Sequence, residues 1–95
     1  MLQIVRTVSE YYELPVEAIR LATRGQGVKS VPRWVAMKLC QEIGGAKLSE
    51  LAVEFNVGHY STISQTIGRL NRLMLEAPGI AADYKLLSQE LTPWI

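Results

Sequence analysis

Apolar residues return along most of this chain with the period of an α-helix, and no stretch alternates with a period of two for long enough to make a strand. Ile4, Val5, Val8, Tyr11 and Tyr12 predict a first helix from Leu2 to Tyr12. Pro15 suits the first turn of a short second helix, Pro15 to Ala22, where its missing N–H costs nothing. Thr23 to Ser30 holds Gly25 and Gly27 beside Arg24 and Lys29, and reads as a basic loop. Pro32 opens a third helix that runs to about Ile43, ended by Gly44-Gly45 through a left-handed conformation. A short fourth helix covers Leu48 to Phe55. Asn56-Val57-Gly58-His59 makes a tight turn, in which Gly58 is expected to take the demanding backbone angles. The fifth helix, Tyr60 to Ala77, lines up Ile63, Ile67, Leu70, Leu73 and Met74, and Pro78-Gly79 stops it. A sixth helix is expected from Ala81 to Leu91. The expectation is an all-α fold, with six helices around one core in a single domain spanning residues 1–95.

One part of this pattern points to function. A short helix, a tight turn with glycine and a longer helix make a helix-turn-helix, here Leu48–Phe55 followed by Tyr60–Ala77. Leu48, Leu51, Ala52 and Phe55 give the first helix one apolar face, and Ala52 is small enough for a close helix crossing. The second helix opens with Tyr60, Ser61, Thr62, Ser64 and Gln65, and with no acid. A helix that enters the DNA major groove needs such a start, because a carboxylate there repels phosphates. Hydroxyls take phosphate or base contacts, and a glutamine pairs with an adenine edge. The same pattern also occurs in helical bundles that bind no DNA.

Charge changes the picture by its placement. The chain has 95 residues, 48% of them hydrophobic, and a formal net charge of only +1. No Asp or Glu falls between Ala18 and Gln41, where Arg20, Arg24, Lys29, Arg33 and Lys38 do. A second acid-free stretch, Phe55 to Leu75, holds Arg69 and Arg72. A near-neutral chain can present a positive face in this way, and ordinary solvated helix surface is the plain alternative. Cys40 is the one cysteine and lies within a helical apolar pattern, which makes it a buried thiol rather than a nucleophile. His59 is the one histidine, so no paired-histidine metal motif exists, and no Gly-rich phosphate loop ends in Lys and Ser or Thr. The expectation is therefore no enzyme, no cofactor and no metal. With no apolar run near the ~20 residues of a membrane span and no signal peptide, the chain reads as cytoplasmic and nucleoid-associated.

Several phrases carry a family likeness. Glu10-Tyr11-Tyr12, Pro32-Arg33 before Val35-Ala36-Met37, Leu48-Ser49-Glu50-Leu51 to Phe55, and Ser61-Thr62-Ile63 resemble the C-terminal, Trp-repressor-like DNA-binding domain of the bacterial replication initiator DnaA. The likeness covers roughly residues 2 to 73 and is expected to take in the last helix. Arg33-Trp34-Val35-Ala36-Met37, Leu39-Cys40-Gln41-Glu42 and Val57-Gly58-His59-Tyr60-Ser61 look most like the DnaA-like C-terminal domain of REP-associated tyrosine transposases. In DnaA a signature of Asp, His, two Thr and an aliphatic residue opens the recognition helix and touches bases and phosphates. Those positions here hold His59, Tyr60, Ser61, Thr62 and Ile63, so the hydroxyl pair matches and the leading Asp-His pair does not. DnaA also uses a basic loop and an Arg-Pro-Arg segment, which here is Val31-Pro32-Arg33, with Lys29 or Arg24 as substitutes for the missing Arg.

The resemblance implies sequence-specific double-stranded DNA binding that directs a transposase-related or DnaA-like parent protein to its site, a duplex or a folded repeat hairpin. Lys29 and Arg33 would anchor the backbone, and His59, Tyr60, Ser61, Thr62, Ser64 and Gln65 would enter the major groove. Arg69 and Arg72, three apart on one helix face, suit phosphates or plain solvent. The chain is expected to be one domain of a larger protein whose catalytic domain lies elsewhere. Near-neutral charge, the lost Asp-His pair and an apolar C-terminal stretch of Leu86, Leu87, Leu91, Trp94 and Ile95 motivate the other reading, a protein-docking module without DNA affinity. Trp34 is expected to pack into the core, and one of Tyr11 and Tyr12 to face the core while the other lies at its rim.

Overall fold

A computed structural model describes residues 2–20 and 31–91, and every regular element among them is a helix. The predicted loop from Thr23 to Ser30, with Arg24 and Lys29, lies outside the described residues, as do Trp94 and Ile95. The elements are α1 (Leu2–Tyr12), α2 (Val16–Arg20), α3 (Val31–Glu42), α4 (Leu48–Glu54), α5 (Tyr60–Glu76) and α6 (Pro78–Leu91).

Helix α3 is the centre of the fold. It packs against α1, α2, α4 and α5, and Val35, Ala36, Met37, Leu39 and Cys40 are all fully buried along it. Burial on more than one face explains why its apolar residues come as a near-continuous run rather than a stripe. Around it sit Val5 and Val8 of α1, Ile19 of α2, Leu51 of α4, Phe55 just beyond it, Ile63 and Leu70 of α5, and Leu87 of α6. One contiguous cluster results. Trp34 is half-buried against this cluster rather than enclosed by it. Of the C-terminal leucines, Leu87 is buried and Leu91 packs on the core, but Leu86 is 55% exposed and covers nothing. Tyr12 packs on the core, and Tyr11 is exposed, its hydroxyl donating to the Asp83 carboxylate of α6 at 2.6 Å.

Two turns position the functional helices. Between α3 and α4, Gly45 takes a φ of +66° and the Ala46 N–H returns to the Cys40 carbonyl at 3.1 Å. Gly44 has a different reason to be glycine: a Cβ there would stand 2.7 Å from the Cys40 carbonyl oxygen and 3.1 Å from Ile4 Cδ1. Between α4 and α5, the Val57 N–H bonds to Ala52 O at 2.8 Å and the Asn56 N–H to Val53 O at 3.2 Å. This is the Schellman pattern, and its left-handed residue is Asn56, at φ 54°. The expectation that Gly58 would carry that strain is thereby corrected: Gly58 has no positive φ, and asparagine tolerates the left-handed well because its short polar side chain bonds locally.

The last junction also differs from expectation. Ala77 alone separates α5 from α6, and Pro78-Gly79 begins the sixth helix instead of filling a loop before it. Proline at a first helical position loses no hydrogen bond, and it forces the preceding residue out of the helical well, so one residue makes the corner.

Candidate nucleic-acid interface

Helix α5 divides cleanly into two faces. Ile63, Thr66, Ile67 and Leu70 are buried against α3 and α4. Tyr60, Thr62, Ser64, Gln65, Gly68, Arg69, Asn71 and Arg72 are exposed, and no carboxylate appears on the helix before Glu76. The predicted site residues from Tyr60 to Arg69 thus lie on the helix that follows the turn. The outward ones, Ser64, Gln65 and Arg69, keep their donors and acceptors free for a partner, with no side-chain bond among the described residues. Thr66, which points inward, satisfies its hydroxyl on the Thr62 carbonyl at 2.7 Å.

The start of α5 is built by His59. Its backbone is extended, and its Nδ1 accepts the Ser61 N–H at 3.1 Å, with Ser61 Oγ 2.7 Å from the same nitrogen. Histidine therefore does the capping work that an N-terminal helix position usually gives to Asp, Asn, Ser or Thr. Because Nδ1 accepts a backbone N–H, the neutral ring carries its proton on Nε2, a donor left for a partner. The Tyr60 ring stacks on the His59 ring, with centroids 4.7 Å apart and planes 23° off parallel. Tyr60 is 53% exposed, so the pair forms an aromatic ledge at the mouth of the helix. Ser61, expected to enter the major groove, is half-buried and already engaged with His59.

The cations distribute otherwise than their sequence pattern implies. Arg33, expected as a backbone anchor, is 8% exposed. Its Nη2 donates to the Phe55 carbonyl at 2.5 Å, and its guanidinium stands 5.9 Å from the Phe55 ring centroid. Desolvation lowers its pKa, although an arginine keeps its charge in any ordinary buffer. A guanidinium so placed has to turn outward before it can reach a phosphate. Arg20 pairs with Glu54, Nε to Oε1 at 3.1 Å, and Lys38 pairs with Glu42 at 3.4 Å while resting over the Tyr84 ring. The Tyr84 hydroxyl donates to the same Glu42 carboxylate, and burial, followed by that hydrogen bond, pushes its pKa up. The acid-free run in the sequence is thus met by acids from α4 and from the end of α3. The exposed cations of α5, Arg69 and Arg72, remain, and with Trp34, Leu73 and Glu76 they line an open cavity of about 160 Å³.

Among the described residues, no group of three or more His, Cys, Asp or Glu side chains is placed to hold a metal ion, and no helix is long and apolar enough to cross a membrane. The sequence places Arg20 in an acid-free run but does not show its pairing with Glu54 at the end of α4, and the only available signal was their opposite charge on neighbouring elements. Residues 1–69 match the family model of the bacterial DnaA protein helix-turn-helix, from the start of α1 to the middle of α5, with α6 beyond the matched residues. The match spans well over half of the chain, and the chain belongs to the DnaA C-terminal helix-turn-helix family.

Proposed function

We propose that this domain binds double-stranded DNA in a sequence-specific way, with α5 as recognition helix, and so brings a DnaA-like or transposase-related parent protein to its site. The observation that carries this reading is the outward face of α5. It offers an imidazole, a phenol, hydroxyls, two amides and two guanidinium groups without one carboxylate before the last residue of the helix. Ser64 and Gln65 are the base readers, since both are exposed and unspent. Tyr60 and Nε2 of His59 meet the groove edge, and Thr62 and Arg69 take phosphates. Lys29 adds backbone contact from the segment outside the described residues.

Fluorescence anisotropy with a random duplex, followed by selection of a preferred site, tests the reading. Affinity is expected to fall steeply as salt rises, because neutralised phosphates release counterions. Gln65→Ala is expected to relax discrimination at one base pair by about 1–3 kcal/mol, whereas Arg69→Ala lowers affinity for all sequences alike and reduces the salt slope by about one. Exposed Val53, Leu75 and Leu86 favour the second reading, an apolar docking surface. Wild-type protein that shows no DNA binding even at low salt would move the assignment there. A folded repeat hairpin assayed beside the duplex decides the form of the target.

A further inference from the structure

We infer that Arg20 and Arg33 form a brace on the C-terminal end of α4, and that they act on DNA binding as positioning residues that fix how the recognition helix leaves the turn. This rests on the helix-turn-helix reading above. The two arginines come from different elements, α2 and α3, and converge on consecutive carbonyls. Arg20 Nε donates to the Glu54 carbonyl at 3.4 Å and to the Glu54 side chain at 3.1 Å. Arg33 Nη2 donates to the Phe55 carbonyl at 2.5 Å. The Schellman turn spends the N–H groups of Asn56 and Val57 on Val53 and Ala52, so no backbone N–H of the described residues takes the carbonyls of Glu54 or Phe55. A helix C-terminus carries partial negative charge, and a cation placed there is stabilising. The residue after these carbonyls is Asn56, the left-handed pivot of the turn, and three residues later His59 caps α5.

The Arg33 side chain is also held from the side. It lies over the Phe55 ring, and Phe55 is fully buried, so ring and carbonyl fix the guanidinium together. Its Nε is buried without a partner, which is a cost that a surface lysine or arginine would avoid by pointing to water. A buried cation bonded to a turn carbonyl holds the backbone there, and a cation meant for phosphates is better placed on the surface.

The test separates bracing from phosphate contact by the salt dependence. Arg33→Gln and Arg20→Gln are measured against wild type by anisotropy over a range of salt, at a temperature where circular dichroism shows each variant folded. The expected result is a drop of about tenfold in affinity for Arg33→Gln and a smaller one for Arg20→Gln, on the scale of one lost charge-assisted hydrogen bond. The slope of log K against log salt is expected to stay that of wild type. Without DNA, amide chemical shifts from Asn56 to Ser61 move, and residual dipolar couplings show α5 reoriented relative to α4. A slope that falls by about one for each arginine removed would make them phosphate ligands and overturn the brace. Unchanged couplings together with wild-type affinity would overturn it as well. Should Arg33→Gln not fold, Arg20→Gln, whose side chain is 44% exposed, carries the same measurements. The couplings need no DNA, so a failure of the DNA-binding reading leaves the brace separately testable.

Discussion

Glu13 and Asn56 hold the same unusual backbone conformation, at φ 56° and 54°, each just past the end of a helix. At the first, the Leu14 N–H bonds to Ser9 O at 2.9 Å and the Glu13 N–H to Glu10 O at 3.3 Å, which repeats the arrangement at Asn56. Asparagine suits that well; a glutamate does not, because its Cβ crowds the following carbonyl and its longer side chain has no compensating local bond. Glu13 is exposed, so its replacement removes no packing. Glu13→Gly is therefore expected to raise the unfolding free energy by about 0.5–1 kcal/mol, the left-handed strain relieved less the extra chain entropy of glycine. Urea denaturation followed by circular dichroism reads this directly, and a lower midpoint would show that the added chain entropy of glycine outweighs the left-handed strain at Glu13. The same scale explains why Gly58 misled the sequence reading. Glycine signals freedom, but the residue that uses a left-handed angle is fixed by where α4 runs out of intrahelical donors, one position after Phe55.

At the scale of elements, periodicity was enough for α1, whose bounds match the predicted ones, and for the α4-turn-α5 unit to within a residue. The start of α6 was not legible, because Pro78-Gly79 reads equally as a helix stop and as a first helical turn, and only the packing of α6 on α5 and α1 decides between them. The positive face was illegible for a similar reason. Arg20 and Lys38 lie in an acid-free run of sequence, yet their partners Glu54 and Glu42 come from α4 and from one turn further along α3. Charge runs describe neighbours in sequence, and ion pairs form between neighbours in space. The α5–α6 corner carries a prediction of its own. Ala77 ends α5 with its N–H on Leu73 O at 2.8 Å, and its carbonyl accepts the Ile80 N–H at 3.0 Å, yet its side chain offers no acceptor to the first turn of α6. Ala77→Ser supplies one. It is expected to stabilise the domain by about 0.5–1 kcal/mol, with DNA affinity unchanged, since Ala77 lies at the far end of α5 from His59. Thermal unfolding beside an anisotropy titration checks both halves.

At the scale of the whole molecule, the core holds titratable groups that are neutral near pH 7 and costly to ionise. Cys40 is fully buried in the last turn of α3, and burial pushes its thiol up from an ordinary 9.0 to about 11. Tyr12 packs on the same core with its hydroxyl buried and unpartnered, and burial, followed by the charge of Asp83, pushes its pKa from 10.0 to about 12. Both are acids whose folded pKa is raised. In the unfolded chain they lose protons at lower pH than in the folded one, so above about pH 9 the unfolded state binds fewer protons and gains in relative stability. The domain is expected to hold its full stability below about pH 9 and to lose it progressively between about pH 9 and pH 12, by about 1.4 kcal/mol per pH unit for each group in its window. Denaturation midpoints measured from about pH 8 to about pH 11 should fall along that course, with Cys40→Ala delaying the onset toward the tyrosine range. Native Cys40 should react with a thiol reagent only as fast as the fold opens. Flat midpoints, or a thiol that labels at once in native buffer, would mean that α3 is not the closed centre on which the helix-turn-helix is mounted.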